Sequence, residues 1–357
     1  MTKRILLTGG GSTGHVAVNL ALIPVLLREG WEVHYMGSHD GIESKLMKDL
    51  KQVQYVGIST GKLRRYWSWT NVTDPFRVLK GVAEAYRNIR RLKPRVVFSK
   101  GGFVSVPVVI AAWMNRVPVI VHESDLTPGL ANRIVLPYVN RICTTFEETK
   151  QHLRHPDKVM HLGAIVREEL LQGRAERGYQ YCHLRNDKPV IVVMGGSLGA
   201  KAINKAVREA MPELTRHYQI VHLCGAGQLE PNIQHPSYRQ YEYLTDPLPD
   251  VLAMADMVIS RAGSNSIFEL LTLHKPMLLI PLSKAASRGD QLLNAESFAK
   301  HGYGEVLLEE NLTRESLLQA VERLYMNHHE IRGIMKEAKM DSRMNELVKL
   351  LKSVALT

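Results

Sequence analysis

Cysteine is scarce in this chain. There are three, Cys143, Cys182 and Cys224, widely spaced and without a C-x-x-C pair. That usage argues against a disulfide framework or a thiolate zinc site, and it fits a reducing cytoplasm. No D-x-D and no H-E-x-x-H sequence occurs, so the spacing of carboxylates and histidines does not point to a bound metal. No run approaches the roughly 18 consecutive apolar residues of a membrane span. The apolar stretch after Met1-Thr2-Lys3-Arg4 is too short for a secretory signal. Low-complexity segments and short-period repeats are also missing, which argues against tail-like and solenoid classes.

What is present is ordinary in amount and uneven in placement. The 357 residues suggest two domains, at about 150 residues each. Hydrophobic residues make up 45% and charged residues 23%, the balance of a globular protein. Lys+Arg total 46 against 35 Asp+Glu, a net charge of +11. Residues 1–166 hold 23 basic and 12 acidic residues, whereas 167–357 hold 23 of each. Within the first half, residues 60–100 hold 11 basic and 2 acidic residues. One basic segment in a balanced chain implies a local anionic partner: nucleic acid, a membrane surface or an anionic substrate.

Short β-branched and apolar runs read as strands. Those at 4–8, 33–36, 96–99, 117–122 and 141–146 belong to a first half, and those at 159–163, 190–194, 218–223, 257–260 and 276–281 to a second. Helical patterns between them imply an α/β fold with two doubly wound parallel sheets. Polar residues around Arg174-Ala175-Glu176-Arg177-Gly178 mark the junction, and 313–355 reads as a polar helical tail.

Each half opens with a strand, a glycine loop and a helix. The first loop is Gly9-Gly10-Gly11-Ser12-Thr13-Gly14-His15, and the other is Gly195-Gly196-Ser197-Leu198-Gly199-Ala200. A third loop, Ser99-Lys100-Gly101-Gly102-Phe103-Val104-Ser105, also follows a strand. Such loops leave the carboxyl ends of strands, where open α/β sheets bind ligands. Their glycines let backbone N–H groups approach an anion at a helix N-terminus. Gly9, Gly11 and Gly14 satisfy G-x-G-x-x-G, but the acidic partner wanted after the second strand is late, at Asp40. In Ser260–Glu269, Ser264 or Ser266 can cap a helix, with Glu269 in its first two turns. Glu269 reads equally as a solvated residue or as an acceptor for ribose hydroxyls. Gln291 and Asn294 can share one helix face.

Taken in order, Gly9–His15, Gly101–Ser105, His122-Glu123, Gly195–Ala200, Arg261–Glu269 and Asp290-Gln291 resemble the peptidoglycan N-acetylglucosaminyltransferases of the GT-B class. The resemblance covers essentially the whole chain. It implies two Rossmann-like domains with an interdomain cleft: residues 1–164 for acceptor and membrane, 165–340 for the UDP-sugar, and 341–357 as a helix packing back on the first domain. It further implies inverting transfer of N-acetylglucosamine from UDP-N-acetylglucosamine to the C4 hydroxyl of undecaprenyl-linked lipid I, giving lipid II, with no cofactor. Carried over by motif, Ser12, Thr13, Gly14 and Asp125 lie on the sugar side. Arg167 and Ser197 contact the nucleotide, and Leu244 offers backbone to uracil. Ser264, Asn265 and Ser266 face the diphosphate, Glu269 holds the ribose and Gln291 touches the sugar. Asp125 departs from the asparagine that many relatives have there. For the general base, His15 and Glu123 both stand as candidates.

The basic segment interleaves Arg64, Arg65 and Lys80 with Trp67, Trp69 and Phe76, and Trp113 repeats the theme. Such interleaving fits single-stranded nucleic acid, and it fits an anionic membrane equally well. The lipid acceptor implied by the resemblance favours the membrane over nucleic acid. It places the protein peripherally at the cytoplasmic face of the cell membrane, within reach of other cell-wall enzymes. Two other functions compete: a UDP-N-acetylglucosamine 2-epimerase of similar fold, which needs no docking surface, and a non-catalytic nucleic-acid binder, which the neutral second half disfavours.

Overall fold

A computed structural model describes residues 3–61, 70–196, 199–283, 289–338 and 340–356, with the side chains of 70–74 left aside. It divides into two compact units, Met1–Ile165 with Arg343–Thr357, and Val166–Ser342.

The first unit runs β1 (Lys3–Thr8), α1 (Gly14–Arg28), β2 (Trp31–Ser38), α2 (Ile42–Lys48), β3 (Gln54–Ile58), α3 (Thr70–Leu92), β4 (Val96–Ser99), α4 (Ser105–Met114), β5 (Val119–Glu123), α5 (Leu130–Val135), β6 (Arg141–Thr144) and β7 (Val159–His161). Its sheet has the order β3-β2-β1-β4-β5-β6-β7, and the pairings are parallel. The central strands β4 and β5 are buried along their whole length. Helices cover both faces, which is why these strands are near-continuous apolar runs rather than alternating ones.

In the second unit the elements are α6 (Ala175–Cys182), β8 (Val190–Met194), α7 (Lys201–His217), β9 (Gln219–Leu223), β10 (Tyr238–Tyr241), α8 (Leu248–Met254), β11 (Met257–Ser260), α9 (Ser264–Thr272), β12 (Met277–Leu279), α10 (Asp290–Lys300), β13 (Gly304–Val306) and α11 (Arg314–Glu337). Its parallel sheet has the order β10-β9-β8-β11-β12-β13. Both strand orders reverse once, between β1 and β4 and between β8 and β11. A doubly wound sheet opens a crevice at such a reversal, beyond the carboxyl ends of its strands.

Three expectations need correction. The run 159–163, assigned above to the second half, pairs as β7 with β6 in the first sheet. The helical tail consists of two helices, and the second is not polar throughout. Its last part, α12 (Met344–Leu356), buries Met344, Leu347, Val348 and Leu351 against Ile5, Leu22 and Leu26 of the first unit. Those four residues follow the i, i+3, i+4, i+7 spacing of one helix face. An ion pair between Glu29 and Lys352 adds to the seam. Finally, neither Ser264 nor Ser266 caps α9. Gly263 is the N-cap, and Ser264 is the first helical residue.

Candidate functional site

Loops at the first reversal are held from beneath by side chains far away in sequence. Tyr35 on β2 donates its hydroxyl to Gly9 O at 2.6 Å. Burial pushes that phenol's pKa up, so it remains a protonated donor. Asn19 on α1 donates to Thr8 O and to the Tyr35 hydroxyl, each at 3.1 Å. Glu43 on α2 is fully buried, and its carboxylate accepts from Gly11 N at 3.1 Å and from Ser38 N at 3.0 Å. Gly10 N donates to Gly101 O at 3.3 Å, which ties the first loop to the loop after β4. The two loops touch closely: a Cβ on Gly102 would lie 2.2 Å from Gly10 O, and Gly102 has φ +82°. Glycine is therefore required at 102 by both contact and conformation.

These contacts change the reading of the first loop. The N–H groups of Gly10 and Gly11 are already bonded, and Gly11 rests on a carboxylate. A phosphate would meet negative charge there instead of open donors, so the loop is not the anion cradle expected from its glycines. What it presents instead is the exposed Ser12-Thr13 turn and His15 at the start of α1. Ser12 Oγ and His15 Nδ1 are 2.8 Å apart. If Nδ1 carries the proton and donates to Ser12, the acceptor nitrogen is Nε2, the tautomer a base needs.

Glu123 is the end of β5, 5% exposed, and its carboxylate accepts from Asp125 N (3.0 Å), Gly129 N (2.8 Å) and Asn132 Nδ2 (2.8 Å). A carboxylate so occupied braces the 125–129 turn. It is not disposed to take a proton from a substrate, and this weighs against Glu123 as the competing base. Burial, then Asp125, push its pKa up, while Lys100 pulls the other way. Asp125 itself sits half-buried on the turn that Glu123 braces, and its carbonyl accepts from Thr149.

At the second reversal, Gly199 has φ +75°, and a Cβ there would lie 2.1 Å from Cys224 O. The loop after β8 thus passes directly over the end of β9. Arg261, after β11, donates to Ile280 O at 3.1 Å and pairs with Glu309. Asn294 on α10 donates to Ala262 O at 3.2 Å. Together they fix the short Ala262-Gly263 link from which α9 starts. Ser264, Asn265 and Ser266 form the first turn of α9, whose N–H groups have no acceptor within the helix and carry its positive dipole end. Glu269 follows one turn later and is bound bidentately by Arg167, at 2.9 and 3.1 Å. Of the pair, the Glu269 side chain is the more buried. Gln291 near the start of α10 accepts from Leu282 N at 3.1 Å. Leu244 is half-buried between β10 and α8.

The structure therefore brings Ser12, Thr13, Gly14, His15 and Asp125 to one sheet edge of the first unit. Arg167, Ser264, Asn265, Ser266, Glu269 and Gln291 lie at the carboxyl edge of the second. Ser197, Arg64, Arg65, Trp67 and Trp69 lie outside the described residues. Tyr35, Asn19, Glu43 and Asn132 were not read as functional from the sequence. They carry no local motif, and only their burial as polar groups marks them.

The basic face is also only partly described. Phe76 and Leu79 on α3 are 71% and 65% exposed, with Lys80 beside them and paired to Glu84 at 3.8 Å. Trp113 near the end of α4 is 54% exposed, its ring 5.1 Å from that of Tyr138. The neighbouring Asn115 donates to Tyr86 O. Tyr86 stands ten residues beyond Phe76, or about 15 Å of helix. Phe76 and Trp113 are thus two ends of a long strip, not one compact cluster.

Comparison with known proteins follows this division. Residues 5–144 match the model of the glycosyltransferase family 28 N-terminal domain, and residues 190–351 match that of the family 28 C-terminal domain. A UDP-N-acetylglucosamine–N-acetylmuramyl-(pentapeptide) pyrophosphoryl-undecaprenol N-acetylglucosamine transferase of Geobacillus thermodenitrificans (strain NG80-2) is 54% identical over 356 residues, covering 99% of this chain and 100% of that one. An enzyme of the same name, numbered 2, from Bacillus anthracis is 56% identical over 336 residues, covering 94% and 95%. Among solved structures, MurG of Acinetobacter baumannii superposes with a TM-score of 0.78 at 25% identity, covering 98% and 99%. A UDP-GlcNAc 2-epimerase from Neisseria meningitidis bound to UDP-GlcNAc reaches 0.63 at 14% identity, covering 99% of each chain, a likeness of fold alone.

Proposed function

Because the chain belongs to glycosyltransferase family 28, we propose that it transfers N-acetylglucosamine from UDP-N-acetylglucosamine to lipid I, giving lipid II for peptidoglycan. The observation that carries this reading is identity above 50%, over nearly the full length of both chains, to transferases whose name states donor and acceptor. The epimerase reading rests on fold alone and falls behind.

In this reading the second unit holds the donor. The first turn of α9, Ser264–Ser266, faces the diphosphate, where negative charge grows as the glycosidic bond breaks. Glu269 takes the ribose hydroxyls. Its present partner Arg167 then turns to the phosphates, as does Ser197, while Leu244 offers backbone to uracil and Gln291 touches the sugar. The first unit holds the acceptor and the base. His15, its ring fixed by Ser12, takes the proton of the C4 hydroxyl as that oxygen attacks the anomeric carbon from the face opposite the leaving UDP, so the configuration inverts. Ser12, Thr13, Gly14 and Asp125 line the sugar side.

The strip from Phe76, Leu79 and Lys80 to Trp113 docks on the anionic cytoplasmic face of the cell membrane, where a lipid-linked acceptor resides. Among the described residues no helix is long and apolar enough to cross a membrane, so a surface attachment is what this strip has to provide. Each basic residue near such a surface adds about 1 kcal/mol, and the exposed aromatics sit at headgroup level. UDP release assayed with UDP-N-acetylglucosamine and a lipid I analogue tests the reading. Release that needs both substrates is expected. Well-folded protein that releases none, in detergent and in vesicles, would contradict it.

A further inference from the structure

Lys100 is the charged residue of the loop after β4, and the proposed chemistry leaves its side chain unused. Its ammonium is almost fully enclosed, with the residue 2% exposed, an unusual state for lysine. A buried ammonium needs an acceptor and a counter-charge. The acceptor is Ser124 Oγ, at 2.7 Å from Nζ. Ser124 is itself 7% exposed and lies between Glu123 and Asp125. Burial pulls the Lys100 pKa down, and those two carboxyl groups, Glu123 before Asp125, supply the counter-charge that pulls it back up. Its stem is wedged beneath the first glycine loop, where a Cβ on Gly9 would come within 3.1 Å of Lys100 Cβ. One side chain therefore touches the three loops at the carboxyl edge of β1, β4 and β5.

The charge count of this layer is informative. Glu123 and Asp125 are two residues apart, and Asp125 pushes against the ionisation of Glu123. Among the described residues, the other titratable or charged groups named around the layer are neutral or bonded elsewhere. His122 on β5 is held neutral, its pKa pushed well down by burial and by Lys100 itself. Glu43 on α2 is a carboxylate bonded to Gly11 and Ser38. Arg133 on α5 donates its Nε to Pro128 O. His15 is bonded to Ser12.

We infer that Lys100 is a positioning residue for the transfer reaction: it balances the Glu123 and Asp125 carboxyl groups and, through Ser124, holds the Asp125 turn in register with the glycine loops that carry His15. The inference rests on the proposed function for its kinetic consequence, but the charge balance can be read without activity. Two measurements on the full chain separate the two. The first is kinetic. Lys100→Met should lower kcat at least tenfold and leave KM for UDP-N-acetylglucosamine within about twofold, because the nucleotide is held by the other unit. Adding Asp125→Asn to Lys100→Met should restore kcat to within about threefold of Asp125→Asn alone, since the unbalanced charge is then gone. A Lys100→Met enzyme with kcat within twofold of the parent would overturn the inference, and so would a double variant as impaired as the product of the single losses.

The second measurement is ¹³C-carboxyl NMR of the folded protein. The Glu123 carboxyl should titrate at higher pH in Lys100→Met than in the parent, and an unmoved midpoint would refute the charge balance whatever the enzyme does. If Lys100→Met does not fold, Ser124→Ala replaces it. About fivefold loss in kcat with unchanged KM for the nucleotide sugar is expected, and parental kcat would count against the inference. Should the parent protein transfer no sugar, the functional reading fails while the NMR result still decides the role of Lys100.

Discussion

The two units build their sheet edges with different materials. In the first, the loops after β1, β4 and β5 stand on buried polar side chains, Tyr35, Asn19, Glu43, Lys100 and Glu123, which engage loop backbone and the side chain of Ser124. In the second, the link before α9 is gripped by Arg261 and Asn294, and a bidentate charge pair at the edge joins Glu269 to the partly exposed Arg167. A site that must deprotonate a hydroxyl at a set distance gains from a rigid polar floor. A site that binds and releases a dianion gains from helix dipoles and a charge pair able to exchange partners. The net charge divides oppositely: the +11 lies in residues 1–166, while the half proposed to hold UDP is neutral. In the proposed function, basicity belongs to docking rather than to nucleotide binding.

That contrast can be broken at several points. The largest effect is expected at His15. Replacing it with Ala should lower kcat by roughly 10²–10⁴-fold and leave UDP affinity unchanged, as measured by steady-state kinetics and calorimetry. An equal loss in both would mean that His15 belongs to the nucleotide site. Next is the seam of α12. Leu347 is fully buried in the first unit, and Leu347→Ala should cost about 2–5 kcal/mol by thermal or urea unfolding. UDP binding by the second unit should survive under conditions where the first has begun to unfold.

Glu269→Ala comes third. It removes charge-assisted bonds worth about 1.5–3 kcal/mol, or roughly 10–100-fold in UDP affinity, and it should spare vesicle binding. Fourth is acid stability, in which each unit has a buried histidine of its own. His222 on β9 is bonded to Asn204 and Tyr238. Burial drives its pKa down to about 3. Below a pH of about 6.5 the unfolded chain takes up a proton that the folded one refuses. Stability should therefore fall with pH by up to about 1.4 kcal/mol per unit until the folded value is reached. His222→Gln should flatten that slope, as followed by urea unfolding between pH 7 and 4. The smallest effect is at the strip on α3: Lys80→Ala should weaken binding to anionic vesicles by about 1 kcal/mol and leave UDP binding intact.

The part of this contrast visible in the sequence was the part with a local signature. Glycine loops after apolar runs marked both strand-order reversals, and the central strands β1, β4, β5, β8 and β11 read clearly because burial on both faces makes them apolar throughout. The edge strands β3, β10 and β13 escaped notice. They are short and partly exposed, so they have neither a continuous apolar run nor a clean alternation. The run at 159–163 was recognised as a strand but assigned to the wrong sheet, because sheet membership is decided by pairing and not by composition. The floor of the first site was invisible for a related reason. Glu43 reaches Gly11 across 32 residues and Lys100 reaches Ser124 across 24, and no spacing rule links them. Glycine pattern alone suggested an anion cradle after β1, and the carboxylate of Glu43 beneath it argues otherwise.

The most direct test of the central claim is to identify the product formed from UDP-N-acetylglucosamine and lipid I in anionic vesicles. The expected result is one equivalent of UDP for each lipid-linked disaccharide, with a β-linked N-acetylglucosamine on the C4 oxygen, seen by mass spectrometry and NMR. Conversion of UDP-N-acetylglucosamine to its 2-epimer without lipid, or the absence of any disaccharide from well-folded protein, would contradict it.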